Sequence, residues 1–155
     1  MDLLTRLEAI EDIKQLKARY FRGIDTKDWD LLRTVFTDDA VLDNRRSKLG
    51  PVDESARFSG GDHVVEYVRS AAGPAVTAHL GVMPEITVLS ETEAEGVWKM
   101  EDVVTFPEGV ERHERFADVR RIHGYGHYHE RYRKADGEWR IAHCVLTRIS
   151  LELER

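Results

Sequence analysis

The fold of this chain is decided by its opening stretch, residues 3–25, which reads LLTRLEAIEDIKQLKARYFRGID. Apolar residues recur there at spacings of three and four: Leu3, Leu7, Ile10, Ile13, Leu16 and Tyr20. This periodicity predicts one amphipathic helix, because residues three and four apart share a helix face. Gly23 is a natural helix stop, so we expect the helix to end there and the chain to turn before Asp25.

Two shorter helices are expected to follow, near residues 29–36 and 60–73, each with its own apolar residues. A short strand is predicted between them at residues 40–42. Residues 43–60 are polar and contain glycine, proline and several charges, which predicts a long loop. Loops of this length are usually functional or disordered, and whether this one acts as a lid stays open.

The second half of the chain has the composition of strands. Five stretches are rich in β-branched and aromatic residues and are separated by turn residues: 76–82, 85–90, 94–106, 122–134 and 138–149. Asp136-Gly137, between the last two, predicts a tight hairpin. Helices followed by antiparallel strands predict an α+β fold, with three N-terminal helices on one face of a curved, mainly antiparallel sheet. We expect residues 1–155 to form one domain.

Composition argues against several classes of partner. The 155 residues are 41% hydrophobic and 34% charged, as in ordinary globular proteins, and the formal net charge is −6. No basic block is present, so we expect no nucleic acid partner, and no apolar run approaches the roughly 20 residues of a membrane span. Cys144 is the only cysteine, so no disulfide can form within the chain. The first residues show a helical pattern instead of a signal peptide, and we expect a cytoplasmic location.

Tyr20 and Asp25 offer a phenol and a carboxylate near the end of the first helix. Two proton-handling groups held close together are what general acid–base chemistry needs. Each residue also has a purely structural explanation, since tyrosine packs in cores with its hydroxyl at the surface and aspartate caps turns. On a straight helix, residues five apart differ by roughly 140° in direction. The two side chains therefore converge only if the chain turns at Gly23.

The predicted strands place further polar groups among apolar neighbours. His79 lies in an apolar stretch, where a histidine is either a core residue or a general base. Alternation puts Asp102 on one strand face with Trp98 and Met100, although a buried carboxylate is costly unless it is paired. Arg148 is the candidate partner: it either pairs with Asp102 or holds an anionic group of a substrate.

Three histidines cluster in residues 123–129 and raise the question of a metal site. His127 and His129 share a strand face, as two metal ligands can. Arginines continue that face, which indicates solvent or a subunit contact. The opposite face carries Tyr128, which we expect in the core or in a pocket. Two histidines are a weak signal, and we predict no metal site.

The order of these features resembles a known superfamily over nearly the whole chain. Tyr20 and Asp25 on the leading helix are followed by Phe36-Thr37-Asp38-Asp39-Ala40, by His79, and by Gly126-His127-Tyr128-His129-Glu130-Arg131-Tyr132. This arrangement is similar to the SnoaL-like branch of the nuclear-transport-factor-like superfamily. Within it, the site pattern is most similar to bile acid 7-alpha-dehydratases and, more loosely, to scytalone dehydratases. The resemblance implies a cone-shaped α+β barrel, also called a cystatin-like roll.

The resemblance also implies a function: a cofactor-independent dehydratase (lyase), isomerase or cyclase. Such an enzyme acts by general acid–base catalysis on a small hydrophobic ring compound, hydroxylated or keto-bearing, of steroid or polyketide type. Four residues match catalytic positions: Tyr20, Asp25, His79 and Asp102. Arg148 also matches an arginine near the end of the last strand, and we expect Trp98, Met100 and Tyr128 to contact the substrate as apolar walls of the pocket. The resemblance further implies a homodimer or homotrimer, with the face of residues 123–133 as the candidate contact.

Two alternatives to an enzyme stay open. The same fold can serve as a non-catalytic module that binds a small ligand in its cone. It can also serve as a structural small subunit of a ring-hydroxylating dioxygenase. The superfamily hosts all of these roles, because a fold alone does not determine chemistry.

Overall fold

The first helix, α1, begins at Leu3 and ends at Thr26 in the computed structural model, which describes residues 1–155. Asp2 caps the helix by accepting a hydrogen bond from the Thr5 amide at 2.8 Å. The apolar stripe is buried from Ala9 onward, whereas the leucines of the first turns stay exposed. The amphipathic helix is therefore confirmed, but its first turns lie outside the core.

The predicted stop at Gly23 is wrong, because α1 continues through this residue. Gly23 lies where the second helix, α2 (Trp29–Thr34), packs against α1. A Cβ added to Gly23 would come within 3.1 Å of the backbone nitrogen of Leu32. Glycine is thus required for close packing and not for a turn. The chain leaves the helix at Lys27, whose φ of 62° is left-handed.

The strands form one curved sheet in the order β2-β1-β6-β5-β4-β3. Their bounds are Phe36–Asp43 for β1, Arg57–Ser59 for β2, Val76–Val88 for β3, Glu93–Thr105 for β4, Arg121–Ala135 for β5 and Glu138–Glu154 for β6. All neighbouring strands are antiparallel except β1 and β6, which are parallel. The third helix, α3 (Gly61–Ala72), precedes β3. The predicted α+β class is confirmed, although the sheet stays open because β2 and β3 are its edges.

The strand β3 merges two predicted strands into one. Stretches 76–82 and 85–90 were expected to be separate, but the pairing with β4 continues across both, with a shift of register between Val82 and Glu85. Met83 lies within the shift and has a left-handed φ of 49°. The proline and methionine that break the apolar pattern therefore mark a bulge, which bends the strand without ending it.

Two other connections, the hairpin at Asp136-Gly137 and the loop 43–60, can be compared with their predictions from the sequence. The hairpin at Asp136-Gly137 is confirmed: φ values of 52° and 82° join β5 to β6, as in the favoured two-residue turns. The predicted loop 43–60 contains the short strand β2, which pairs with β1. This edge strand has three residues, too few for alternation to reveal it.

The helices cover one face of the sheet and leave the other uncovered. The main core cluster packs between the helices and the covered face, and a smaller cluster joins Ala75, Val104, Phe106, Val119 and Ile122. The uncovered face carries His127, His129 and Tyr125 from β5, together with exposed apolar side chains such as Leu80 and Val82. None of the helices is both long enough and apolar enough to cross a lipid bilayer.

Candidate functional site

A cavity of about 410 Å³ is bordered by both core clusters. Of its 26 lining residues, 17 are hydrophobic, so the cavity suits a largely apolar ligand. The polar side chains in its wall include five of the eight residues singled out from the sequence: Tyr20, His79, Asp102, Tyr128 and Arg148. The fold therefore brings these five together from one helix and four strands.

His79 is fixed by the carboxylate of Asp25. The residue lies on β3, and its Nδ1 is 2.7 Å from Asp25 Oδ1. A carboxylate can only accept, so Nδ1 carries the hydrogen and Nε2 of the neutral ring keeps a lone pair. The His79 side chain is 10% exposed and lines the cavity, so this lone pair lies in mostly buried surroundings. Asp25 itself does not line the cavity. It orients the imidazole through the hydrogen bond to Nδ1.

Asp25 makes two further hydrogen bonds to β3. The backbone amide of His79 donates to Oδ2 at 3.0 Å, and the hydroxyl of Thr77 donates to Oδ1 at 2.8 Å. Burial alone would raise the pKa of Asp25, but the hydrogen bonds from His79 and Thr77 together hold it below its usual value. The carboxylate is therefore ionised at neutral pH.

Tyr20 and Tyr128 present two phenols to the same cavity. Their rings pack edge to face, with centroids 6.0 Å apart, and both side chains are almost fully buried. Burial raises the pKa of each hydroxyl well above its ordinary value. Both phenols are therefore protonated at neutral pH and are able to donate hydrogen bonds.

The expected convergence of Tyr20 and Asp25 does not occur. Because α1 stays helical beyond Gly23, the two side chains leave the helix in different directions. Tyr20 packs against Tyr128 of β5, whereas Asp25 bonds to His79 of β3. The two residues meet only indirectly, since Tyr20 and His79 line one cavity.

Asp102 and Arg148 form a buried, two-pronged ion pair. Arg148 Nη1 donates to Asp102 Oδ1 at 2.6 Å, and Nη2 donates to Oδ2 at 2.7 Å. The guanidinium crosses β5 at Gly124, where an added Cβ would come within 2.5 Å of Nη1. Asp102 is paired with His79 in the β3–β4 register, which brings this ion pair beside the imidazole. The structural alternative for Asp102, a salt bridge to Arg148, is thus realised inside the cavity wall.

Trp98 and Met100 lie on the expected strand face but do not line the cavity. Trp98 is buried in the core, where its Nε1 donates to the Tyr132 hydroxyl at 2.7 Å. Met100 is buried next to Arg148, with Sδ 3.5 Å from Nη1. The expectation that Trp98 and Met100 form walls of the cavity is therefore corrected. Alternation determines on which face of the strand a side chain lies, but not whether the core or the cavity lies against it.

A buried ion pair that the sequence analysis missed lies beneath the two phenols. Lys17 Nζ is 2.6 Å from Glu130 Oε1, and both side chains are at most 1% exposed. The ammonium also lies 4.0 Å from the ring centre of Tyr20 and 3.8 Å from that of Tyr128, within the range of cation–π attraction. Glu130 accepts a second hydrogen bond, from Tyr132 at 2.5 Å. Lys17 therefore fixes both phenol rings.

The signal for this pair was present in the sequence. Lys17 lies four residues after Ile13 and three before Tyr20, so it shares the buried face of α1. Glu130 alternates with Tyr128 and Tyr132 on the covered face of β5. A lysine and a glutamate on two facing apolar surfaces indicate a buried pair.

The loop 43–60 contributes directly to the cavity wall. Its residues Ser47, Lys48 and Leu49 line the cavity. The loop is fastened by an ion pair at 2.5 Å between Asp53 and Arg115, which belongs to the connection between β4 and β5. No group of three or more His, Cys, Asp or Glu side chains in residues 1–155 is arranged to hold a metal ion.

Comparison with known proteins identifies the family. Residues 5–145 match the family model described as the SnoaL-like domain. The chain belongs to the SnoaL-like domain family. The match covers almost all of α1 and the sheet up to Val145 on β6.

Solved structures share the fold of this SnoaL-like domain at low sequence identity. A type 2 hexachlorocyclohexane dehydrochlorinase, LinA, superposes with a TM-score of 0.78 at 17% identity, over 99% of this chain and 94% of that one. LinA type 3 from Novosphingobium barchaimii gives 0.76 at 17% identity, over 99% and 94%. A protein from Novosphingobium aromaticivorans, provisionally described as a scytalone dehydratase, gives 0.77 at 18% identity, over 97% and 91%.

Replacing Lys17 tests whether the buried ion pair supports the SnoaL-like domain. We expect Lys17→Met to lower the free energy of unfolding by about 3–5 kcal/mol, because Glu130 then stays buried without its counter-charge. The double variant Lys17→Met/Glu130→Gln should recover part of this loss. Urea denaturation measures both.

Lys14→Met is the matched control, because Lys14 is an exposed residue of the same helix with only a loose contact to Glu11 at 3.6 Å. Its effect should stay within about 0.5 kcal/mol. Equal losses for the two single variants would contradict a stabilising role of the buried pair.

Proposed function

We propose that this SnoaL-like domain is a cofactor-independent lyase or isomerase that acts on a small hydrophobic ring compound. His79 is the general base. The observation that carries this proposal is the hydrogen bond from His79 Nδ1 to Asp25, because it leaves Nε2 as the acceptor in a mainly apolar cavity. A base in this position abstracts a proton from a bound substrate by general base catalysis.

The first step is removal of a proton from the carbon next to a carbonyl group. Nε2 of His79 takes the proton, and the electron pair of the broken C–H bond passes into an enolate. The hydroxyl of Tyr20, with Tyr128 beside it, donates a hydrogen bond to the enolate oxygen. Both phenols stay protonated because burial raises their pKa values, and donors fixed in a dry site stabilise developing charge strongly.

The second step decides between elimination and isomerisation. In a dehydration, the enolate electrons form a carbon–carbon double bond as a C–O bond breaks, and the leaving hydroxyl takes a proton from the imidazolium of His79 or from Tyr20. In an isomerisation, the imidazolium returns its proton to another carbon of the same conjugated system. The ionised carboxylate of Asp25 stabilises the imidazolium in either case.

Asp102 and Arg148 are proposed to position the substrate. Both oxygens of Asp102 are occupied by the guanidinium of Arg148, so the carboxylate is better suited to hold Arg148 than to move a proton. A guanidinium has five N–H groups, and the four hydrogen bonds of Arg148 leave one N–H free. This group can bind a polar substituent of the substrate beside His79.

The comparisons support a reaction of this kind. Two of the similar structures carry names of eliminating enzymes, a dehydrochlorinase and a dehydratase. At 17% and 18% identity they show a shared fold only. The proposed chemistry therefore rests on the arrangement of His79, Asp25, Tyr20 and Tyr128.

Exchange of ring-ketone protons tests the proposal without knowledge of the natural substrate. We expect the protein to accelerate exchange of the α-protons of 1-tetralone for deuterium in D₂O, followed by proton NMR. His79→Gln and Tyr20→Phe should each slow this exchange by about 100- to 10,000-fold, the usual contribution of a placed acid or base. Circular dichroism verifies that both variants fold.

His127→Gln is the control, since His127 lies on the uncovered face of the sheet, and its exchange rate should match that of the wild type. An unchanged exchange rate in His79→Gln would contradict the proposed role of His79 as the general base. Tight binding of 1-tetralone without any exchange would favour the alternative of a non-catalytic binding module.

We also propose that the protein forms a homodimer or homotrimer through the uncovered sheet face. Tyr125, Leu80 and Val82 are 37%, 47% and 46% exposed on that face. Contiguous exposed apolar surface usually marks an interaction site.

Light scattering at micromolar concentration tests this association. We expect a mass of two or three chains of 17.9 kDa. Tyr125→Glu should shift the mass to that of one chain, because it introduces a charge into the contact. Leu7→Glu, an equally apolar exposed site on α1, should not. A wild-type monomer would contradict this proposal.

A further inference from the structure

The charges in the cavity wall leave one cation without a partner. Four cationic side chains line the cavity: Lys48, Arg115, Arg148 and Arg155. Each arginine is held by a carboxylate at 2.5–2.7 Å, namely Asp53, Asp102 and Asp118 respectively. No carboxylate oxygen lies within 4.0 Å of Lys48 Nζ. Lys48 is therefore the only cation of the cavity wall that no carboxylate contacts.

The surroundings of Lys48 make this charge available to a ligand. Its ammonium donates one hydrogen bond, to the backbone carbonyl of Arg115 at 3.1 Å. An ammonium has three donors, so two remain. The Phe116 ring centre lies 5.7 Å from Lys48 Nζ, and Lys48 is half-buried. A cation in partly apolar surroundings attracts an anion more strongly than one in open water.

The other charges nearby do not satisfy Lys48. The pKa values of Asp53 and Asp118 are lowered mainly by hydrogen bonds from Ser55 and Arg155 respectively, and the charge of Lys48 makes only a small contribution. Each is already hydrogen-bonded to an arginine, Arg115 and Arg155 respectively. The ammonium therefore lies in the cavity wall without a carboxylate in contact with it.

We propose that the substrate of this cavity carries a carboxylate on its hydrophobic ring system, and that Lys48 binds this carboxylate. An ammonium without a carboxylate contact matches the carboxylate of a ligand, and the mainly apolar remainder of the cavity matches the rings. The inference rests on the proposed function only in that the cavity is the substrate site. It does not depend on the chemistry of His79.

A second role for Lys48 must be separated from this one. Through its bond to the carbonyl of Arg115, Lys48 also ties the loop 43–60 to the β4–β5 connection. Loss of that tie would weaken every ligand alike. Loss of a carboxylate contact would weaken only anionic ligands. A pair of ligands that differ in charge but not in shape therefore distinguishes the two roles.

Calorimetric titration with 2-naphthoate and 2-naphthamide provides this test. We expect the wild type to bind the carboxylate about tenfold more tightly than the amide, the lower range for a hydrogen bond to a charged group. Lys48→Met should remove this preference by weakening naphthoate binding about tenfold, while naphthamide binding stays within about twofold. Lys48→Arg should retain the preference. Added salt should weaken naphthoate binding alone.

Arg46→Met is the matched control, since Arg46 lies two residues away, is exposed and does not line the cavity. It should leave both affinities unchanged. Equal weakening of both ligands in Lys48→Met, no preference in the wild type, or no naphthoate binding at millimolar concentration would overturn the inference.

The two proposals fail separately. Naphthoate preference that depends on Lys48, together with ketone exchange that does not depend on His79, would leave the carboxylate site standing and remove the proposed chemistry. Ketone exchange that depends on His79, together with naphthoate binding that does not depend on Lys48, would support the proposed chemistry and rule out the carboxylate site.

Discussion

The carboxylate of Asp25 is the interaction on which the fold around the cavity and the candidate site both depend. It lies in the last turn of α1 and accepts three hydrogen bonds from two residues of β3, so it fastens the helix to an edge strand. The same bonds fix the imidazole of His79. Hydrogen bonds to a charged group contribute about 1.5–3 kcal/mol each, which is a large share of the stability of a domain. Asp25 reaches β3 because α1 continues past Gly23. The missing side chain of Gly23 lets α2 pack closely against α1 there, at Leu32.

Charge pairing inside the covered side of the sheet organises the rest of the site. Lys17–Glu130 supports the phenols, and Arg148–Asp102 forms the polar wall beside His79. Such pairs contribute little net stability compared with apolar residues of the same size, but each fixes the direction of side chains around a cavity. Lys48 is the only cation of the wall without a carboxylate contact. A site of this kind provides fixed acid, base and charge to an apolar ligand.

Periodicity and alternation predicted the helices and most strands of the fold, and five of the residues that line the cavity were named from the sequence. A histidine in an apolar strand and a tyrosine on an apolar helix stripe stand out, and both line the cavity. Two features depended on tertiary contacts that no local pattern contains. Gly23 serves helix packing, and Trp98 is covered by the core instead of the cavity. Lys17 and Glu130 each lie on an apolar face that the sequence shows, although 113 positions separate them. Lys48 stands out only once the partners of the other cations are known.

The proposed mechanism requires Asp25 to present His79 to the cavity as a base with Nε2 unprotonated, and the tautomer of the imidazole is the most direct readout of this arrangement. Long-range nitrogen–proton NMR correlations on ¹⁵N-labelled protein distinguish the two ring nitrogens of His79 above the pH at which the ring loses its second proton. We expect the Nδ1–H tautomer in the wild type and a mixture of both tautomers in Asp25→Ala. A wild-type ring protonated at Nε2, or a tautomer unaffected by removal of Asp25, would contradict it.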